Sequence, residues 1–290
     1  MRKLHLPYLA LVLVALVGAA RKPVAFQKCY AIEERSPLPA LVAAATPLDV
    51  AGFLGSIPYV DQSTTVYAVH PRERYERTIV QGYGNCSNLV FGAAAHLYET
   101  RRDYQIVHTL PRGSFLDGGG HTVLRTRYEL NGRTYVGLVD VLEGGIPATA
   151  GRPLDLADLQ AGAVPDFSIR SLSGKHDASS EFYDALLDQA TIGCIPGAQV
   201  NRYFAFLDKT YVALGSAKLE KYAYDGLAVV LGLYPKIFVD SIADTFAGHH
   251  AERRFYLGAL WVLRSAVVIL PLILLVELNT LHRTRRRARG

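Results

Sequence analysis

Cys86, His121 and Asp140 are residue types that together can run acyl transfer: a thiol nucleophile, an imidazole base and a carboxylate to orient it. Cys86 follows Gly82, Gly84 and Asn85 and precedes a helix-like stretch, 87–101, with Leu89, Val90, Ala93, Ala94 and Leu97 on one side. A helix N-terminus carries partial positive charge, which favours thiolate over thiol, and thiolate is the form that attacks a carbonyl carbon. The glycines let backbone approach a substrate closely, and the Cys86 N–H can help hold an oxyanion. A cysteine at that position also serves as a small packed hydrophobe, and the helix start alone does not choose.

The elements around His121 and Asp140 say more. Two extended runs, 121–130 and 133–142, flank Asn131-Gly132, the strongest short-range hairpin signal. A two-residue turn sets Leu130 against Arg133, and counting outward sets Asp140 against Val123. His121 lies two residues from Val123 and so shares its face. His121 and Asp140 are then diagonal cross-strand neighbours, about 7–8 Å apart at Cα, within reach of an imidazole–carboxylate bond. An Asp so placed fixes the tautomer of the base and stabilises its imidazolium form. The competing reading is an Asp that ends one strand and a His that begins another.

Gly84-Asn85-Cys86 opening an Ala-rich helix, then Gly119-Gly120-His121 opening a hairpin that ends in Val139-Asp140, resembles the transglutaminase-like core over residues 75–145. The resemblance implies a papain-like α+β fold, with the helix bearing the Cys packed on an antiparallel sheet, and a Cys86-His121-Asp140 triad. It also implies an oxyanion donor upstream of the Cys, for which Gln81 is a candidate, with Gly84 and Asn85 lining the substrate. Two positions depart from the family pattern. His121 is followed by Thr122-Val123 where Ala-Trp is usual, and Asp140 by Val141-Leu142 where Pro-Thr is usual. Such a site forms a thioester on a peptide or protein carboxamide and passes the acyl group to water, as protease or amidase, or to an amine, as a cross-linking transglutaminase. Many bacterial members look hydrolytic, so the expectation is a cysteine hydrolase. A non-catalytic tethered binding module within a membrane assembly is the reading from another class.

Both chain ends differ from this centre. Arg2 and Lys3 precede an apolar run, 6–20, shorter than the ~20 residues a spanning helix needs. It suits a signal-peptide core cleaved after Gly18-Ala19-Ala20, or a short uncleaved anchor with Arg21 and Lys22 beyond it. Residues 255–278 read as a membrane span with Tyr256 and Trp261 near its outer end. Arg264 within it costs roughly 2.5–3.5 kcal/mol, which the surrounding Leu, Ile and Val residues can offset. The tail Arg283, Arg285, Arg286, Arg287 and Arg289 reads as cytoplasmic by the positive-inside rule, leaving the centre outside. The expected division is 1–23 signal or anchor, 24–150 catalytic core, 151–252 helical extension, 253–282 membrane helix and 283–290 basic tail. In a bacterium this places the core on the periplasmic side of the inner membrane, with a lipid bilayer and other membrane proteins as partners.

The net charge of +5 matches the five arginines of that tail, so the centre is near neutral and no nucleic-acid partner is expected. Three cysteines are an odd number for an oxidising compartment. Cys29 and Cys194 paired would leave Cys86 as a free thiol; both also read as buried small hydrophobes. No metal-type cysteine spacing occurs, and no cofactor is expected. His70, His96, His108, His249 and His250 have no matching partner in the sequence and read as solvated or packed.

Overall fold

The computed structural model describes residues 24–25, 46–60, 68–110, 120–161, 164–172 and 191–241, with scattered helical positions between 254 and 279. The chain divides into two compact units. One is Pro23–His249; the other joins Met1–Lys22 with His250–Gly290. The expected segments 1–23 and 283–290 lie outside the described residues, and the expected span 253–282 lies mostly outside. Among the described residues no helix is long and apolar enough to cross a membrane.

The larger unit is α+β. In chain order its elements are β1 (Val24–Ala25), α1 (Pro47–Gly55), α2 (Pro71–Gln81), α3 (Cys86–Glu99), β2 (Tyr104–Leu110), β3 (His121–Leu130), β4 (Arg133–Val139), β5 (Gly145–Thr149), β6 (Arg152–Pro153), α4 (Leu156–Ala161), β7 (Ser168–Ser171), β8 (Thr191–Pro196), α5 (Gly197–Thr210), α6 (Ala217–Leu231) and β9 (Ile237–Ser241). Six strands form one sheet in the order β1-β9-β8-β2-β3-β4, antiparallel except for the β1–β9 pair. A smaller sheet has the order β6-β5-β7.

Local chemistry sets the helix starts. Thr46 and Asp49 close a capping box on α1, with Pro47 in the first turn where a missing N–H costs nothing. Asn85 and Asn88 close the corresponding box on α3, which makes Cys86 its first helical residue. Gly82, at φ 67°, ends α2 in the left-handed conformation and returns the chain toward Cys86. Between β3 and β4, Asn131 and Gly132 both have positive φ, 52° and 73°, as the tight hairpin turn matched to strand twist requires.

The two faces of the main sheet carry separate apolar clusters. Leu89, Val90, Ala93, Ala94 and Leu97 of α3 pack with Ile106, Leu124, Tyr128 and Val139, and with Val200, Phe204 and Leu207 of α5. Val107, Val123, Leu138, Ile192 and Cys194 face the other way, under Leu154, Leu156 and Leu159. The Arg125 guanidinium clamps that cover through Asp155, at 2.6 and 2.7 Å.

Residues 151–252 are not a helical extension. Their β8 lies between β2 and β9 at the centre of the sheet, with Val107 opposite Cys194 and Ile106 opposite Ile195. The helical part of this stretch is α5 and α6, each of which buries one side. β8 is six residues long and finds its partner far back in the chain, so no local period announces it.

Candidate active site

Asp140 is the first residue past β4, where a tight return bridges it to Gly145. Its N–H donates to the Gly145 carbonyl and its own carbonyl accepts from the Gly145 N–H, both at 2.9 Å. The Glu143 N–H donates to Asp140 Oδ1 at 3.0 Å, leaving Oδ2 directed at the hairpin. Gly55, the last residue of α1, packs so closely on this return that a Cβ there would lie 2.1 Å from Gly144 Cα.

His121 is the first residue of β3, opposite Thr109. The Thr109 hydroxyl donates to the His121 carbonyl at 3.0 Å and accepts from the His121 N–H at 3.1 Å. With the backbone pinned this way, Nε2 meets Asp140 Oδ2 at 2.7 Å. The observed register, Leu124 opposite Val139 and Leu130 opposite Arg133, is the one counted outward from Asn131-Gly132. The histidine and the carboxylate side chains are 1% and 0% exposed.

The Cys86 thiol lies within hydrogen-bonding reach of His121, whose Nδ1, the ring nitrogen not on the carboxylate, is buried. Burial pushes the thiol up, but the hydrogen bond to His121, the charge of His121 and the backbone and hydroxyl of Thr122 bring it below the ordinary thiol range. Burial pulls His121 down, yet Asp140, by charge and hydrogen bond, and Cys86 together raise it above the ordinary histidine range. Both shifts favour the thiolate–imidazolium pair, the form competent for attack. Cys86 is a free thiol, whereas Cys194 is in a disulfide. Cys29, the partner expected for Cys194, lies outside the described residues.

The three residues expected to assist have other placements. Gln81 is exposed on the last turn of α2. The Gly84 N–H donates to Pro58 O at 3.2 Å and the Gly84 carbonyl accepts from Val60. Asn85 caps α3: its Oδ1 accepts from the Asn88 N–H at 2.9 Å and its carbonyl from the Leu89 N–H at 3.0 Å. Helix geometry gives the first-turn N–H groups of Cys86 and Ser87 no intrahelical acceptor, so these are the donors best placed for an oxyanion.

A cavity of about 460 Å³ lies against the same helix start, bordered by Asn85 and Ser87 on either side of Cys86 in sequence. Phe91, Phe204, Tyr203 and Tyr234 supply aromatic surface, and Arg74 and Lys221 add positive charge. Among the described residues no cluster of His, Cys, Asp and Glu is arranged to hold a metal ion.

Two contributors escaped the sequence reading. Thr122 touches the thiol, and His108, directly across the ladder from it, bonds its hydroxyl. The substitution of Thr122 for the usual alanine was the one available signal. No family model, curated protein or solved structure matches this chain.

Proposed function

We propose that this protein is a cysteine hydrolase of transglutaminase-like, papain-like type, cleaving peptide or side-chain amide bonds through a thioester on Cys86. The observation that carries the reading is the buried His121–Asp140 bond of 2.7 Å beside the free thiol of Cys86. An imidazole held by a buried carboxylate and facing a thiol has few structural uses.

The steps follow from the groups present. Cys86 Sγ attacks the amide carbon; the C–S bond forms, and the carbonyl π electrons move to oxygen. The N–H groups of Cys86 and Ser87 stabilise that oxyanion. His121 Nδ1 gives its proton to the departing nitrogen, the C–N bond breaks, and an amine or ammonia leaves. Neutral His121 then takes a proton from water, whose oxygen attacks the thioester. The carboxylic acid leaves and the thiolate–imidazolium pair is restored. Asp140 keeps the ring oriented throughout. The adjoining cavity suits an apolar or aromatic side chain of the acyl donor.

The terminal apolar segments support a tethered protein whose core faces the extracytoplasmic side, with peptides or proteins of that compartment as substrates. A glutamine-containing peptide library, offered with and without a fluorescent primary amine, tests the chemistry by mass spectrometry. Cleavage or deamidation that vanishes in Cys86→Ala supports the hydrolase. Cys86-dependent amine incorporation in its place makes the protein a transferase. A Cys86 that reacts with iodoacetamide no faster than a cysteine in the unfolded chain overturns both.

A further inference from the structure

His108 and Thr122 face each other across the β2–β3 ladder, and His108 Nδ1 lies 3.0 Å from Thr122 Oγ1. Thr122 follows His121 directly and presents its backbone and its hydroxyl to Cys86. It is buried, so no bulk water competes for that hydroxyl. A threonine hydroxyl has one proton to give. If the proton went to His108, none would be left for the thiolate; if His108 donates, the hydroxyl is free to donate onward.

In a neutral ring the tautomer of His108 is therefore decisive. Although a margin of the residue stays accessible, burial takes its pKa down to about 4, so the ring is neutral at neutral pH. A neutral imidazole carries one N–H, and the contact with Thr122 is made by Nδ1. Among the described residues, the charged group acting directly on the thiol is His121, with Asp140 behind it. His108 reaches the thiol only through Thr122.

We propose that His108 and Thr122 are positioning residues for the nucleophile, forming a relay in which His108 Nδ1–H donates to Thr122 Oγ1 and the Thr122 hydroxyl donates to the Cys86 thiolate. His121 supplies the charge from one side of the sulfur and the relay supplies a neutral donor from the other. The relay holds the sulfur in place without a second positive charge that would compete with His121 for the leaving-group proton. It rests on the reading of Cys86 as a nucleophile, but its test needs no substrate.

The test is the pH dependence of Cys86 alkylation by iodoacetamide in the full-length protein without reductant, followed at the Cys86 peptide by mass spectrometry. Thr122→Val should move the midpoint to higher pH by about one unit, the size of one charge-assisted hydrogen bond. Thr122→Ser should restore it. His108→Asn, whose amide can stand in for Nδ1–H, should leave it near wild type, and His108→Leu should move it part of the way. Circular dichroism and thermal unfolding report whether each variant is folded, and the histidine pair carries the test if Thr122→Val is not. An unchanged midpoint in folded Thr122→Val, or in His108→Leu where the threonine variant is unfolded, overturns the relay. So does a Thr122→Ser shift as large as that of the valine variant. A Cys86-dependent hydrolase with an unmoved midpoint loses only the relay. A moved midpoint in a protein with no activity loses only the hydrolase.

Discussion

Among the described residues are two His–Asp pairs of nearly equal length in very different settings. His121 Nε2 and Asp140 Oδ2 are 2.7 Å apart, and His70 Nε2 and Asp208 Oδ1 are 2.9 Å apart. The first pair is 1% and 0% exposed; the second is 16% and 37% exposed. His70 begins α2 and stacks obliquely on Tyr211, and Asp208 also accepts from the Tyr98 hydroxyl at 2.8 Å. That pair ties α2 to α5 near the surface. His121 instead has a thiol within hydrogen-bonding reach. A histidine beside an aspartate is thus no indicator of chemistry. Exclusion of water strengthens the attraction, and the third group gives the shifted proton somewhere to go.

The largest effect expected from breaking this contrast is at Asp140. Asp140→Asn keeps the shape but removes the charge that holds His121 protonated, and hydrolysis should fall by about 10³- to 10⁴-fold. Removing one partner of a buried pair should also lower stability by about 3–5 kcal/mol, read by urea denaturation. The stability has a pH signature. The folded pKa of His121 is raised above its ordinary value of 6.5. Its contribution is therefore complete below that value and is lost as pH rises through the folded pKa. The gap between wild type and variant should narrow on the alkaline side. In rate measurements, thiolate formation on Cys86 sets the acid limb and deprotonation of His121 the alkaline limb. Asp140→Asn should move the alkaline limb toward acid.

Gly55 sharpens the comparison, because it supports one pair alone. A methyl at Gly55 would meet Gly144 Cα at 2.1 Å and Gly144 N at 2.5 Å, both backbone atoms. Gly55→Ala must push α1 or the Asp140 return aside, at about 1–3 kcal/mol. Thermal unfolding should register that loss, with activity reduced less than in Asp140→Asn. A variant as stable as wild type would mean that the return is held from elsewhere.

These same residues mark what a sequence can disclose. The His121–Asp140 diagonal was legible because Asn131-Gly132 admits one tight turn, and the turn determines register for the seven residues paired on either side. The α3 start was legible because Gly82, Gly84 and Asn85 are punctuation with a local mechanism. The Thr122–His108 rung was not, since β2 and β3 are joined by a longer segment whose length leaves their register open. Nor was β8, whose pairing with β2 bridges more than eighty residues of sequence. Gln81 is a different case: proximity in sequence to Cys86 suggested a role, and the structure places it exposed at the end of another helix, before the left-handed Gly82 turn.

The surface pair supplies the smallest effect and the strictest control. His70→Gln and Asp208→Asn each remove a partly solvated partner, and exposed ion pairs contribute about 0–1 kcal/mol after side-chain ordering and screening. Tyr98 can rotate its hydroxyl to water once Asp208 is changed, so no buried group is stranded. Urea midpoints should move by no more than that amount, and the alkylation midpoint of Cys86 should not move. A loss at His70 as large as that at Asp140 would show that burial is not what separates the pairs. The account of the site would then have to rest on the thiol alone. A small loss leaves the water-free setting of His121 and Asp140, together with Cys86, as what sets the proposed catalytic pair apart from a common ion pair.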